Sequence, residues 1–303
     1  MQLFFAPLQG YTDAAYRRIH HEVIGGIDEY YTPFIRWEKD GLRRKDLRDI
    51  DPQRCMDVPT VPQVIANGRD EFAHLCDAVQ ALGWRRIDLN MGCPFPMQSR
   101  AGRGSGILPH PDRVREIADE MLCRPEVCFS VKMRLGHERA DEIQVLLPIL
   151  DAMPLTHVTL HPRIGLQQYK GVPDLEAFAR VYEQLHHPLI YNGDIRSPSQ
   201  AECILRQYPR LKGLMLGRGL LSTPWMMQDT EHCHGEKLME MHRRYYQHAI
   251  TTYQGDAQIL SHLQSFWEYP SIHLDRKTYK QIKKARTLNE YGPVVRNLEI
   301  QLA

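Results

Sequence analysis

The residues most able to do chemistry lie in a loop that follows one short apolar segment. That segment ends at Asn90, and the chain then passes through Gly92 to a thiol at Cys93, with Pro94 behind it. Glycine permits close approach, and proline biases the residue before it toward extended geometry. A lone cysteine without a CxxC partner, on a loop that follows a strand, is typical of a reactive group. The alternative is a buried cysteine acting as a small apolar residue, and this loop alone does not decide between the two.

The elements that must position this loop are strands alternating with helices. Apolar spacing predicts helices at Glu71–Leu82 and Asp112–Leu122, and Ser197 followed by a proline is typical of a helix start. Eight strand-helix units in roughly 230 residues predict an α/β fold, a closed (β/α)8 TIM barrel. The eight predicted strands are Leu3–Ala6, Tyr30–Ile35, Val61–Ala66, Arg86–Asn90, Cys128–Met133, His157–His161, Leu189–Asn192 and Gly213–Leu216.

The pattern changes near residue 235, and we expect a barrel domain at 1–234 and a small helical domain at 235–303. Helical spacing covers Leu238–Thr252 and Leu260–Trp267. A basic segment then runs from Arg276 to Arg286 with six Lys or Arg and no acidic residue. Such a run is usually a solvated helix face, and the alternative is a contact with a nucleic-acid backbone. Within the barrel part, the charged segment Arg36–Pro59 fits no clean helix and is predicted to be an excursion between strands.

Composition excludes several classes of protein. The 303 residues carry a formal net charge of +1, so a nucleic-acid partner would need a local basic patch. Seven cysteines at irregular spacing, without CxxC, indicate neither a disulfide framework nor a structural zinc site. The cluster His232-Cys233-His234 is a weak metal candidate because adjacent side chains point apart, so we expect no metal. With no signal peptide and no membrane span, we expect a cytoplasmic protein, and we take a monomer as the default.

Polar side chains at the predicted strand ends converge on one site, because a barrel's active site lies at the C-terminal ends of its strands. The loops Asn192-Gly193-Asp194 and Gly217-Arg218-Gly219 follow strands seven and eight, where barrels bind phosphate. Lys132 could stabilise an anionic reduced ring, and Gln63 could pair with a ring's carbonyl and N–H edge. These residues suit flavin mononucleotide (FMN) better than a simple sugar phosphate.

The chain resembles the tRNA-dihydrouridine synthases, flavin enzymes that reduce uridine in tRNA. The resemblance covers residues 1 to about 225, and the remainder matches in position and helical character. The matching motifs are Ala6-Pro7-Leu8-Gln9-Gly10-Tyr11-Thr12-Asp13, Asp88-Leu89-Asn90-Met91-Gly92-Cys93-Pro94, Ser130-Val131-Lys132-Met133-Arg134-Leu135-Gly136, Leu160-His161-Pro162-Arg163, Tyr191-Asn192-Gly193-Asp194-Ile195 and Leu216-Gly217-Arg218-Gly219.

The resemblance implies a reaction and a role for each residue. NADPH would reduce FMN, hydride would pass to C6 of a tRNA uridine, and Cys93 would protonate C5 as the catalytic acid. Asn90 and Arg134 would orient the uracil, and the basic segment with Lys280, Lys283 and Lys284 would bind tRNA. The implied FMN contacts are Pro7, Leu8, Gln9, Gln63, Lys132, His161, Asn192, Gly193, Asp194, Gly217 and Arg218.

Three alternatives remain open at this point. A barrel of the same design could reduce a small molecule with FMN and need no RNA. A lyase or isomerase could use the glycine loops to hold a substrate phosphate, without flavin. A non-catalytic RNA-binding protein is the third, and the presence of Cys93 and Lys132 disfavours it.

Overall fold

The computed structural model describes residues 1–39, 41–228 and 234–302. Strands and helices alternate through the first two thirds of the chain, and helices alone make up the remainder. The strands are β1 Gln2–Phe5, β2 Glu29–Tyr31, β3 Trp37–Glu38, β4 Gly41–Leu42, β5 Thr60–Val61, β6 Gln63–Val64, β7 Arg86–Met91, β8 Cys128–Gly136, β9 Leu155–Ile164, β10 Leu189–Tyr191 and β11 Gly213–Leu216.

The helices flank this sheet and then continue into a C-terminal bundle. Short 3-10 turns lie at Gly104–Ile107 and Pro270–His273. The α-helices are α1 Ala14–Val23, α2 Arg44–Asp49, α3 Arg69–Ala81, α4 Pro96–Ser99, α5 Pro111–Leu122, α6 Glu142–Ala152, α7 Leu175–Gln184, α8 Pro198–Gln207, α9 Arg218–Ser222, α10 His234–Thr252, α11 Asp256–Phe266, α12 Arg276–Lys284 and α13 Leu288–Leu302.

One parallel sheet closes into a barrel. Its strand order is β5-β2-β1-β11-β10-β9-β8-β7-β6, and only Pro62 separates its two ends, β5 and β6. Proline has no N–H to donate to a ladder, so the strand is interrupted there. The carbonyl of Pro62 still accepts a hydrogen bond from Asp88 N in β7 at 2.9 Å. Counted as one strand, β5 and β6 complete eight, and the predicted (β/α)8 barrel is confirmed.

Two layers of apolar side chains hold the barrel. Most of the core lies between the sheet and its helices, where Leu3 and Phe5 of β1 point. A second cluster alternates with these positions and fills the barrel interior. It is drawn from the strands and from the residue directly after β1, and it contains Phe4, Ala6, Tyr31, Val61, Ile190 and Met215. Because the interior is packed, ligands must bind at the strand ends.

The charged segment 36–59 is more ordered than predicted. It contains the hairpin β3–β4 and the helix α2, where the sequence indicated no helix. Arg43 donates two hydrogen bonds to the buried carboxylate of Asp46, both at 2.8 Å. An ion pair therefore anchors α2, and apolar periodicity could not reveal it. The predicted strand Tyr30–Ile35 is shorter, since β2 ends at Tyr31 and Ile35 forms an isolated bridge with Val64.

The C-terminal helices pack directly on the barrel. Helix α10 lies against α1, and Tyr245 donates to the carboxylate of Asp13 at 3.1 Å. Trp267 and Tyr291 are fully buried among these helices, where both the Trp267 indole and His242 hydrogen-bond the Tyr291 hydroxyl. Across the described ranges, none of the helices has the length and apolar character that a membrane span requires.

Candidate active site

Two adjoining cavities open at the C-terminal ends of the barrel strands. The thiol cavity, about 220 Å³, is lined by Gln9, Gln63, Asn90, Cys93 and Arg134 among others. The anion cavity is lined by Asn192, Gly193, Asp194, Gly217 and Arg218 among others. The two share the side of the barrel mouth formed by Pro7, Leu8, Lys132, His161 and Tyr169. All predicted site residues except the three lysines of α12 therefore line one or both cavities.

Asn90 holds the cysteine loop in place. Its Oδ1 accepts hydrogen bonds from Gly92 N at 3.0 Å and from Cys93 N at 2.9 Å. Its Nδ2 donates to Gln63 Oε1 at 2.7 Å. The side chain thus caps the turn that presents the thiol, because it satisfies two backbone donors that the end of β7 leaves free.

A chain of hydrogen bonds beneath Asn90 fixes it in turn. Gln63 Nε2 donates to one oxygen of Asp88 at 2.7 Å, and Ser130 Oγ donates to the other at 2.6 Å. All three side chains are buried. Burial raises the pKa of Asp88 to about 6, although both hydrogen bonds oppose the shift. The predicted ring contact of Gln63 therefore has to come from the second hydrogen of its Nε2 or the second lone pair of its Oε1.

The Cys93 thiol is suited to remain protonated. Cys93 is 8% exposed, and burial raises the pKa of its thiol despite a backbone hydrogen bond from Phe95 and the charges of Arg134 and Lys132. The carbonyl of Cys93 is fixed as well, since it accepts from Ser105 N at 3.0 Å and Ser105 Oγ at 3.1 Å. A neutral thiol on a rigid loop can act as a proton donor.

Lys132 lies where the two cavities meet. Its ammonium donates to Asn192 Oδ1 at 2.6 Å, while Asn192 Nδ2 donates to the Met215 carbonyl at 2.7 Å. Burial lowers the pKa of Lys132 to about 8, and the charge of Arg134 lowers it further while Asp88 opposes the shift. The ammonium is therefore predominantly charged at neutral pH and loses its proton in mildly alkaline solution.

Arg134 links three loops. Its guanidinium donates to the carbonyls of Gly92 at 3.0 Å, Ile164 at 2.8 Å and Gln168 at 2.7 Å. Arg134 is 2% exposed, and burial lowers its pKa to about 10, so it keeps its charge at neutral pH. These three bonds use Nε and Nη1 to hold the loops together. The predicted contact of Arg134 with uracil therefore has to use Nη2.

The side chain of Asp194 is turned toward arginines. It pairs with Arg163 and Arg218, each at 2.5 Å. Burial alone would raise the pKa of Asp194, but the hydrogen bond from Arg163 and the charges of both arginines lower it. Any contact between Asp194 and an anion must therefore come from its main chain, whose φ is +42°.

The anion cavity fits a phosphate-bearing flavin nucleotide. A Cβ on Gly219 would lie 2.3 Å from the Ile195 carbonyl, and one on Gly217 would lie 3.4 Å from Ala6 Cβ, so these glycines keep the loops close and their amides unshielded. Lys132, Arg196 and Arg218 supply positive charge at the same wall. Backbone amides and cations at the ends of the last two strands are the donors that a phosphate requires.

His161 is neutral and of defined tautomer. Burial lowers the pKa of its imidazole well below the usual value, and the surrounding cations add to the effect. Arg163 Nη1 lies 3.0 Å from His161 Nε2, and a guanidinium can only donate, so Nε2 accepts. The ring proton is therefore on Nδ1.

Several aromatic residues at the cavity mouth were missed by the sequence analysis. The Tyr169 ring packs under two guanidiniums, 4.4 Å from Arg218 and 5.6 Å from Arg134. Phe95, directly beyond Pro94, is 51% exposed at the rim of the thiol cavity. Tyr269 reaches the same rim from the C-terminal helices and contacts Tyr11 edge-on at 4.9 Å. The position of Phe95 close to Cys93 in the sequence could have placed it at the site, whereas no sequence pattern pointed to Tyr269.

The basic segment forms helix α12, and its lysines lie outside both cavities. Asp275 caps the helix by accepting from Lys277 N and Thr278 N. The cations of 276–286 have no ion pair within the described ranges, and Lys280, Lys283 and Lys284 are exposed. Ile282 is buried, so the helix has one anchoring face and one cationic face.

Among the described residues, no group of three or more His, Cys, Asp or Glu side chains is arranged to hold a metal ion. His232 and Cys233 of the candidate cluster lie outside the described residues.

Relatives of known name match most of the chain. The tRNA-dihydrouridine synthase B of Yersinia pestis is 29% identical over 238 residues, covering 76% of this chain and 71% of the relative. The protein of the same name from Escherichia coli (strain K12) is 28% identical over 239 residues, with the same two coverages. The Pasteurella multocida counterpart is 28% identical over 231 residues, covering 76% of this chain and 69% of the relative.

Solved structures support the fold. The old yellow enzyme homologue from Zymomonas mobilis superposes with a TM-score of 0.55 at 11% identity, covering 89% of this chain and 95% of that one. Histamine dehydrogenase from Rhizobium sp. 4-9 gives 0.53 at 11% identity, covering 80% and 49%. At this identity both show the barrel alone. The sequence model of the family described as dihydrouridine synthase (Dus) matches residues 4–298. This barrel, with its cysteine loop and its paired cavities, therefore belongs to the dihydrouridine synthase family.

Proposed function

We propose that this chain reduces a uridine of tRNA to 5,6-dihydrouridine, with FMN as cofactor and NADPH as reductant. The observation that carries the proposal is the placing of a protonated thiol and a buried ammonium in one cavity that adjoins an anion cradle. The relatives named tRNA-dihydrouridine synthase B support tRNA as the carrier of the uridine.

The anion cavity would hold the FMN phosphate through the amides of Gly193 and Gly217 and the charges of Arg196 and Arg218. Pro7, Leu8 and Gln9 would line the ring from the loop after β1, and His161 would lie beside it with Nδ1–H as its donor. When bound, FMN supplies the hydride that reaches C6 of the uracil. Lys132 and Gln63 would contact the ring from strands β8 and β6.

Cys93 completes the reduction. Hydride addition at C6 leaves an electron pair at C5 and O4 of the uracil, and the Cys93 thiol gives its proton to C5. The C5–C6 double bond is thereby reduced by one hydride and one proton. Because burial raises the pKa of the thiol, the acid is available at neutral pH without a partner base.

The charge that develops on O4 needs stabilising. Lys132 and Arg134 line the thiol cavity, and both carry positive charge at neutral pH. Nearby cations in a buried site lower the energy of such a charge more than they would in water. Arg134 also holds the Cys93 loop through the Gly92 carbonyl, so it orients the acid and stabilises the anion together.

The substrate must bring its uridine out of the RNA stack, since the reacting groups lie at the floor of a cavity. We propose that residues 235–303 form the tRNA-binding domain beside the barrel domain of 1–234. Helix α12 supports this role, because its unpaired cations are the groups that neutralise phosphates. The reaction would take place in the cytoplasm.

The test is a half-reaction followed by flavin absorbance. The purified protein is reduced with NADPH, freed of oxygen and excess reductant, and mixed with tRNA that lacks modifications. Rapid reoxidation by this tRNA, but not by free uridine, is the expected result. Reoxidation by free uridine at the same rate would identify a small-molecule reductase, and a colourless protein that takes up no FMN would overturn the cofactor.

A further inference from the structure

A third cavity, separate from the two at the strand ends, opens where the barrel meets the C-terminal helices. This junction cavity measures about 280 Å³. The barrel contributes the loop after β1, the start of α1 and helix α2, and the helical part contributes the end of α10 and α11. Its lining includes Gln9, Lys45, Arg48, Tyr253 and His262. The roles proposed above leave this cavity without a function.

The junction cavity adjoins the thiol cavity. Gln9 lines both, and its side-chain amide is held across the gap by donation to the Phe34 carbonyl at 3.3 Å. The two cavities therefore meet at Gln9. A polymer with one unit bound at Cys93 would have its neighbouring unit within reach of the junction cavity.

Two cations at this cavity are uncompensated. Lys45 and Arg48 are exposed on α2, and neither has a hydrogen bond or ion pair with any described residue. Arg54 is only loosely paired, 3.6 Å from Asp51, with both side chains about 40% exposed. By contrast, Arg43 at the start of the same helix is fully engaged by Asp46. Lys45 and Arg48 of α2 thus line the cavity with positive charge that no described residue pairs.

The carboxylates of the cavity are already engaged by the protein. Asp13 Oδ1 accepts from Tyr16 N at 2.8 Å, and Asp13 Oδ2 accepts from Tyr245 at 3.1 Å. Asp49 Oδ1 accepts from Ala14 N at 3.0 Å. These acids serve the junction between the barrel and the helices, and among the described residues neither forms an ion pair with Lys45 or Arg48.

The lining of the junction cavity also carries a flat aromatic pair. The rings of Tyr253 and His262 are parallel within 9°, with centroids 3.9 Å apart, and both side chains are half-buried. Stacked aromatic faces are a general means of holding nucleobases in single-stranded RNA. Cations and an aromatic pair in one lining match the two parts of a nucleotide, its phosphate and its base.

We propose that the junction cavity binds one nucleotide of the substrate tRNA, adjacent to the uridine held at Cys93. Lys45 and Arg48 bind its phosphate, and its base stacks on an outer face of the pair of Tyr253 and His262. The inference rests on the proposed function, since it requires an RNA substrate. The junction cavity then helps to place the target uridine, because the neighbouring nucleotide holds the RNA strand that enters the thiol cavity.

The test compares Arg48→Glu and Tyr253→Leu with a matched control. Arg180→Glu reverses a charge on α7 that is also exposed, lies outside the lining of the cavity and has no ion pair with a described residue. Binding of fluorescently labelled, unmodified tRNA is measured by anisotropy across a salt series, and reduction of the bound flavin by NADPH is measured separately. Because Tyr253 also packs in the fold, Tyr253→Phe serves as the variant that keeps the aromatic face.

Arg48→Glu is expected to weaken tRNA binding about tenfold and to lower the salt dependence by about one phosphate contact. Tyr253→Leu is expected to weaken binding by about tenfold, whereas Tyr253→Phe should retain it. Arg180→Glu and the NADPH step should match the wild type.

Two results would overturn the inference while leaving the proposed function intact. In the first, the wild type binds tRNA and the cavity variants bind it equally well. In the second, the variants slow reduction by NADPH instead, which would assign the cavity to the dinucleotide. Failure of the wild type itself to bind unmodified tRNA would overturn the inference and the proposed function together.

Discussion

Replacing Asn90 tests whether its side-chain hydrogen bonds hold the cysteine loop in place. Asn90→Ala removes three hydrogen bonds, those to Gly92 N, Cys93 N and Gln63 Oε1. A buried polar group left unpaired costs about 1–3 kcal/mol, and water in the adjoining cavity can rehydrate part of the loss. We therefore expect a destabilisation of about 3 kcal/mol, which a folded protein of ordinary stability survives.

The effect on the reaction should exceed the effect on binding. Without its cap the thiol loop is free to shift, and a displacement of about 1 Å at a reacting group costs roughly a hundredfold in rate. We expect reoxidation by tRNA to slow by about that factor, with tRNA affinity and reduction by NADPH unchanged. Stopped-flow absorbance of the flavin measures both half-reactions, and urea denaturation measures the stability.

Asn90→Asp is the matched control. Its Oδ1 can still accept from Gly92 N and Cys93 N, while its second oxygen would face Gln63 Oε1 with no proton between them. This variant should lose stability yet keep the thiol loop, so its rate should stay within about tenfold of the wild type. An equal collapse of the rate in both variants would refute the capping role and favour a direct contact between Asn90 and the substrate.

Three further predictions concern the acid, the basic helix and the buried carboxylate. Cys93→Ala should slow reoxidation by tRNA by about a hundredfold or more and spare reduction by NADPH. In the wild type this step should slow as the pH rises into the alkaline range, because the thiol must be protonated and burial raises its pKa. Reversal of three charges on α12 should weaken tRNA binding and reduce its salt slope by up to about three, and unchanged binding would mark a solvated face; the variant is Lys280→Glu, Lys283→Glu, Lys284→Glu. Asp88 has a folded-state pKa raised to about 6, so it contributes stability at low pH that is lost as pH rises from about 4 to about 6. The loss amounts to about 3 kcal/mol, and Asp88→Asn should make the free energy of unfolding less dependent on pH in this range, as measured by denaturation at several pH values. An unchanged pH dependence in the variant would contradict the raised pKa of Asp88.

Local patterns in the sequence determine the barrel and the general location of the site. Alternating apolar segments and amphipathic helices specify a parallel sheet with crossovers, and the barrel then places every strand's C-terminal end at one mouth. Cys93, Lys132 and the two glycine loops could therefore be assigned to one site before their distances were known. The predicted element bounds shifted by a few residues, because turns and caps depend on contacts outside each segment.

The tertiary structure decides what each polar residue is free to do. The side chains of Asn90 and Gln63 use much of their hydrogen-bonding capacity within the protein. The charge of Asp194 is balanced by Arg163 and Arg218. The type of a residue tells which donors and acceptors it carries. A hydrogen bond to a neighbour that is distant in sequence decides which of them remain available to a ligand.

Contacts across long sequence separations account for the rest. Tyr269 joins the mouth of the thiol cavity from the C-terminal helices, and the junction cavity is lined by residues of both α2 and α11. The sequence by itself determined the fold and the positions of the cysteine loop and the two glycine loops at the strand ends, since these depend on short-range pattern. Only the folded chain decided which groups remain unpaired at the site, because pairing depends on the distance between side chains that the sequence places far apart.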